Sequence, residues 1–148
     1  MMKQNMKRCL LVILLLSLVF VITGCKKTYD KLDHVYHNGI FAVQEREYYI
    51  YVYRPNCEVC SSLEELVYNY AKKAKRDDDL PNLYVLNKGD TINNAGIYHG
   101  SGVGNDFIGA TTYQEIKTST SPVLFKIKNG RVVSLYQEDY DIKSRLTL

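Results

Sequence analysis

The sequence predicts an α/β domain, a central mixed sheet flanked by helices, on three observations. The run Tyr48-Tyr49-Ile50-Tyr51-Val52-Tyr53 is made entirely of aromatic and β-branched residues, the composition of a strand buried on both faces. A segment with helical periodicity follows, and Leu83-Tyr84-Val85-Leu86 comes after it, so strand, helix and strand form a βαβ unit with a parallel pair. Two further apolar runs flank Asn129-Gly130, the strongest short hairpin signal, and add an antiparallel pair.

The chain has 148 residues, 46% hydrophobic and 24% charged, which fits one globular domain plus a small extra segment. That extra segment comes first. Lys3, Lys7 and Arg8 precede an apolar stretch from Cys9 to Ile22 that only Ser17 interrupts. At helical rise such a stretch spans about 21 Å, short of the roughly 30 Å hydrocarbon core but of signal-peptide length. The next residues, Ile22-Thr23-Gly24-Cys25, resemble the lipobox of bacterial lipoproteins. That resemblance implies that residues 1–24 are a lipoprotein signal peptide and that Cys25 is acylated, by diacylglyceryl and palmitate, as the first mature residue. Residues 25–34 then read as a lipidated tether and 35–148 as the folded domain. The alternative, a short uncleaved anchor with an incidental cysteine, also holds the domain at the outer face of the bacterial cell membrane. Removing Lys3, Lys7 and Arg8 leaves 16 basic against 16 acidic residues. A near-neutral mature chain argues against a nucleic-acid partner, which calls for a concentrated positive surface.

Within the domain, His34–Val43 fits either a short hairpin about Asn38-Gly39 or a strand followed by a turn of helix. Pro55 ends the Tyr48–Tyr53 strand because it has no amide proton for a ladder. Val59, Leu63, Leu66, Val67, Tyr70, Ala71 and Ala74 recur at three- and four-residue spacing and predict one apolar helical face. Asn56 is the expected N-cap, with Cys57 at the first helical position. Lys72, Lys73, Lys75 and Arg76 complement the C-terminal dipole end, and Asp77–Asp79 and Pro81 stop the helix. Six of the nine glycines lie between Gly89 and Gly109. Gly100-Ser101-Gly102-Val103-Gly104 lacks both a leading strand and a following lysine, so it reads as a surface loop rather than a phosphate cradle. A short helix is expected near Asp106–Tyr113, and a last one within Asp141–Leu148. Pro122 heads the strand Val123–Lys128, and Arg131–Tyr136 returns beside it.

The chemistry concentrates in Arg54-Pro55-Asn56-Cys57-Glu58-Val59-Cys60. Of four cysteines, Cys9 departs with the signal segment and Cys25 is blocked by lipid, which leaves Cys57 and Cys60. A bridge between residues three apart constrains little of the unfolded chain, so such a pair serves chemistry better than stability. It describes either a redox-active dithiol or half of a metal site, for which His34-x-x-His37 is the candidate other half. A strand–helix junction favours redox, and His34, His37 and His99 read as ordinary surface or turn residues. The 13 tyrosines read as packing in a chain that has no tryptophan.

A strand, Cys-x-x-Cys at a helix start, a second parallel strand and then Ser121-Pro122-Val123-Leu124-Phe125-x-x-x-Asn129-Gly130 resemble the thioredoxin family over about residues 35–148. The wording Arg54-Pro55-Asn56-Cys57-x-x-Cys60 is also similar to the thioredoxin-like bacteriocin-transport accessory proteins of Gram-positive bacteria. The resemblance implies a thioredoxin-like fold and a redox disulfide Cys57–Cys60. Pro122 is implied as a cis-proline that positions substrate, and Ser121 as the residue whose backbone contacts it. It implies no cofactor and no metal. The chain departs from the family at its tuning positions: Asn56 replaces the usual Trp, Glu58-Val59 the usual Gly-Pro, and Tyr51 the buried Asp that takes protons from the second thiol. Proton transfer then falls to Glu58, Glu47 or water.

At a helix N-terminus the dipole and unpaired N–H groups lower the pKa of Cys57; Glu58 opposes this and Arg54 offsets it. Cys57 is thus the expected nucleophile, and Cys60, one turn on, the resolving thiol. The expected function is a monomeric, membrane-anchored, extracytoplasmic thiol-disulfide oxidoreductase, partnered by exported protein thiols or disulfides and by a redox partner. The rival is a non-catalytic binding or accessory lipoprotein of the same fold, for example in peptide or bacteriocin export.

Overall fold

The computed structural model describes residues 28–97 and 106–147. The signal segment, Cys25, His99 and the Gly100–Gly104 loop lie outside the described residues. Four strands form one sheet: β1 (Glu47–Tyr53), β2 (Asn82–Asn87), β3 (Val123–Lys128) and β4 (Arg131–Tyr136), in the order β2-β1-β3-β4. β1 runs parallel to β2 and antiparallel to β3, and β3 pairs antiparallel with β4, so the sheet is mixed as expected. Helix α1 (Glu58–Ala74) makes the β1–β2 crossover, α2 (Thr91–Ile97) follows β2, and α3 (Asp139–Leu146) closes the fold. Among the described residues no helix is long and apolar enough to cross a membrane.

β1 is the spine because both its faces are covered. Tyr49, Tyr51 and Tyr53 join a cluster with Leu63, Val67 and Ala71 of α1 and Ile142 and Leu146 of α3. Tyr48, Ile50 and Val52 point the other way, toward Ile40, Ile97, Phe107, Ile116 and Phe125. This strict alternation is the period-two geometry of a strand, and the absence of polar residues between Tyr48 and Tyr53 is what two buried faces demand. At the β3–β4 hairpin, Asn129 (φ 52°) and Gly130 (φ 71°) are both left-handed, the conformation a two-residue turn between twisted strands requires.

Several expectations shift. The stretch expected as a tether is folded from residue 28 onward: Thr28–Lys31 is a 3-10 helix, Tyr29 and Leu32 are buried in the core, and His34 bridges Val85. The charges of Asp30, Lys31 and Asp33 mask two apolar side chains that face inward. Of the two readings of His34–Val43, the strand followed by a helical turn is the nearer: His34 makes a single parallel bridge, and His37–Gly39 is a 3-10 turn, not a hairpin. Cys57, not Asn56, is the helix N-cap, and Asn56 takes a left-handed φ of 60° instead. Val59, placed on the apolar face by its spacing, is 42% exposed, whereas its neighbour Cys60 is buried. The helix expected near Asp106–Tyr113 is a turn through Gly109, followed by a 3-10 helix at Tyr113–Glu115, where Glu115 accepts from the amides of Thr111 and Thr112.

α2 forms in an asparagine-rich stretch, where Asn93 ties it to its neighbours. The buried Asn93 donates to the Asn87 carbonyl at 3.0 Å and accepts from the His37 amide at 2.9 Å. Gly96 is required there, since a Cβ would stand 2.1 Å from the His37 ring.

Candidate active site

β1 delivers the chain at Tyr53 to the short turn Arg54-Pro55-Asn56. The positive φ of Asn56 reverses the backbone, a conformation that asparagine tolerates better than most residues. Cys57 is then extended (φ −98°, ψ 115°) at the N-cap of α1. Its Sγ accepts a hydrogen bond from the Cys60 amide at 3.1 Å, the part that a serine hydroxyl takes at many helix starts. Cys57 and Cys60 are joined as a disulfide with their Cα atoms 5.2 Å apart. Cys57 is half-buried, whereas Cys60 is only 1% exposed. The sulfur that solvent can reach is therefore also the one held by an amide dipole, which would stabilise a thiolate on reduction.

The loop before β3 faces this pair. The Ser121–Pro122 peptide bond is cis, and the Ser121 carbonyl oxygen stands 3.7 Å from Cys57 Sγ. Residues 64 positions apart in sequence thus meet at the N-terminus of α1. Glu58 is exposed at the first helical position. Glu47 lies at the opposite end of β1, paired with Lys126 and, at 3.0 Å, with Lys128. Those hydrogen bonds, Lys126 first, hold its carboxyl below the usual range. Glu47 therefore cannot pass protons to the dithiol: a whole strand separates them.

The sequence did not single out what lies behind Cys60. The Tyr29 hydroxyl donates to the Cys60 carbonyl at 2.5 Å and lies 3.1 Å from the Tyr51 hydroxyl. The Tyr29 ring stacks on Tyr53 with centroids 4.3 Å apart. Burial pushes the Tyr29 and Tyr51 hydroxyls far above the ordinary range, with each other's proximity adding to the rise at Tyr29. Both stay protonated, so neither takes a proton from the Cys60 thiol. Glu64, one turn beyond Cys60, accepts from the amides of Thr28 at 2.5 Å and Tyr29 at 3.2 Å. Tyr29, Tyr53, Arg54, Asn56, Cys60 and Glu64 line a cavity of about 400 Å³. A depression of about 490 Å³ lies at the other end of β1, by Glu45 and Asp78, away from the cysteines.

Lys88 is the other unforeseen residue. It follows β2 directly, is 4% exposed, and its ammonium donates to the Thr118 carbonyl at 2.7 Å and the Thr120 carbonyl at 3.4 Å. Burial first, and the charge of Arg54 second, push its pKa down. The signal that could have found it is positional: the carboxyl ends of parallel strands are where α/β sheets gather functional groups. His34 gives its Nε2 to the Tyr29 carbonyl at 2.9 Å, and His37 packs edge-on to Tyr113. Among the described residues no group of three or more His, Cys, Asp or Glu side chains is placed to hold a metal.

No protein-family model matches the sequence, and no curated protein does. Solved structures do. Mitochondrial thioredoxin 3 of Saccharomyces cerevisiae in its oxidised form superposes with a TM-score of 0.52 at 10% identity, over 80% of this chain and 96% of that one. Spinach chloroplast thioredoxin f, short form, gives 0.51 at 15% identity over 76% and 87%. A chain from the complex of ferredoxin:thioredoxin reductase with thioredoxin f2 gives 0.51 at 12% identity over 77% and 90%. The chain has a thioredoxin-like fold, and it carries a disulfide with Cys-x-x-Cys spacing at the start of α1.

Proposed function

We propose that this thioredoxin-like chain is a thiol-disulfide oxidoreductase that exchanges disulfides with exported proteins through Cys57 and Cys60, anchored by lipid on Cys25 at the outer face of a bacterial membrane. One observation carries the redox reading: the accessible sulfur of the pair is the N-cap of α1, and it faces the Ser121 carbonyl beside cis-Pro122. The anchoring and the exported substrates rest on the Cys9–Ile22 apolar stretch and the Ile22-Thr23-Gly24-Cys25 wording.

In the reducing direction the Cys57 thiolate attacks one sulfur of a substrate disulfide. A Cys57–substrate bond forms, the substrate S–S bond breaks, and the departing thiolate takes a proton from water. Cys60, deprotonated in turn, attacks Cys57 Sγ; the mixed disulfide breaks and the second substrate thiol leaves. The substrate gains two electrons and Cys57–Cys60 loses them, so a dithiol partner must reset the pair. A solved relative of the fold was crystallised with a reductase, which supports a partner of that kind. The oxidising direction is the same sequence reversed. The Cys60 proton leaves by water in the adjoining cavity or by the exposed Glu58 at the same helix start, since Tyr29 and Tyr51 remain protonated and Glu47 is remote. Ser121 and Pro122 position the substrate backbone beside Cys57.

Alkylation of the reduced chain at graded pH tests the reading. The Cys57 midpoint should lie below the ~8.5 of an ordinary thiol. An ordinary midpoint, with no exchange against disulfide-bonded peptides, would leave the accessory-lipoprotein reading in its place.

A further inference from the structure

Lys88 is the buried cation that the exchange mechanism leaves unused. Its main-chain amide donates to the Tyr53 carbonyl at 2.7 Å, which fixes its Cα beside the last residue of β1. From there the side chain runs through the interior to the carbonyls of Thr118 and Thr120. The fully buried Thr118 tightens the same loop: its hydroxyl donates to the Thr120 carbonyl at 2.9 Å and accepts from the Thr120 amide at 3.3 Å. Its own amide donates to the Ile97 carbonyl at 2.8 Å.

Placing an ammonium out of water is costly, and an aliphatic side chain would fill the same space without that cost. What the ammonium supplies is direction, because it turns two carbonyls of one loop toward a single point. The Thr120 carbonyl belongs to the planar peptide that carries the Ser121 amide, so with the carbonyl drawn to Lys88 that amide points the opposite way. The Ser121 carbonyl of the next peptide is the one that faces Cys57 Sγ.

We propose that Lys88 is a positioning residue for disulfide exchange: its ammonium clamps the Thr118 and Thr120 carbonyls and so fixes the Ser121 backbone on which an extended substrate segment docks beside Cys57. The inference rests on the oxidoreductase reading and adds to it a residue outside the Cys-x-x-Cys and Ser-Pro motifs.

The test compares two substrates on the full chain in detergent. One is a disulfide-bonded peptide long enough to lie along the 118–122 loop, turned over with dithiothreitol as reductant. The other is a small aromatic disulfide that reaches Cys57 without the loop. For Lys88→Met, the KM for the peptide rises about tenfold while its kcat, and the rate with the small disulfide, stay within about twofold of wild type. Should Lys88→Met lack a cooperative melt, Thr118→Val, which removes only the clamping hydroxyl, takes its place and raises the peptide KM about threefold. A folded variant with an unchanged peptide KM, or one that slows both substrates alike, would overturn the role of Lys88. Failure of the wild-type chain on both substrates would instead remove the oxidoreductase reading, so the two failures are told apart.

Discussion

At Asn56 the backbone adopts φ 60°, and the placement of Cys57 depends on it. Only glycine enters that region freely, asparagine enters at small cost, and a β-branched side chain is strained there. Asn56→Gly should therefore leave stability within about 0.5 kcal/mol of wild type, and Asn56→Val should lower it by about 1–2 kcal/mol. Denaturant unfolding of the oxidised chain reads both. Residue identities at the site were legible where chemistry shows in the letters: a cysteine pair, a Ser-Pro before an apolar run, an Asn-Gly turn. Placements set by tertiary contact were not legible. Cys57 caps the helix because its own sulfur accepts the Cys60 amide, which the N-cap preference of asparagine hides. Lys88 looks like one more strand-end lysine until Thr118, 30 residues on, is packed against it.

Among the elements, those with a strong period were read correctly and those built from side-chain hydrogen bonds were not. β1, α1 and the β3–β4 hairpin follow from alternation, helical spacing and turn chemistry. α2 exists because Asn93 satisfies backbone groups on two neighbouring segments, and no periodicity announces that. The 3-10 helix Thr28–Lys31 is the sharper case, for it sits in a charged stretch and still inserts Tyr29 beneath the dithiol. Glu64 holds that segment by two backbone amides. Burying Tyr29 and Leu32 is worth about 3 kcal/mol or more together. A chain beginning at residue 28 should accordingly melt well above one beginning at residue 35; equal melting temperatures would show that the segment is a dispensable tether.

The molecule as a whole is a mixed sheet with two buried faces, and tyrosines do most of the filling around β1. Tyr48 donates to the Ile40 carbonyl and Tyr70 to the Pro81 carbonyl, and burial pushes both hydroxyls, with that of Tyr53, up to about 12. These are acids whose folded pKa lies above the unfolded value of about 10. The stability they contribute is complete below about pH 10 and is lost as pH rises toward 12, because only the unfolded chain ionises them readily. Alkaline titration should show the tyrosinate absorbance of these buried tyrosines rising together with loss of helical circular dichroism, and ionisation of every tyrosine well before unfolding would contradict the packing. This fold serves one end of its sheet: β1, α1 and the loop before β3 converge on Cys57, with Cys60 sealed behind it by Tyr29. The central claim is that Cys57 attacks and Cys60 resolves. Replacing Cys60 by serine removes the resolving step, so in cells the Cys60→Ser chain should accumulate covalent complexes with exported proteins that disappear on reduction and in the Cys57→Ser, Cys60→Ser double variant. A Cys60→Ser chain that is folded and displayed at the cell surface yet captures nothing through Cys57 would contradict it.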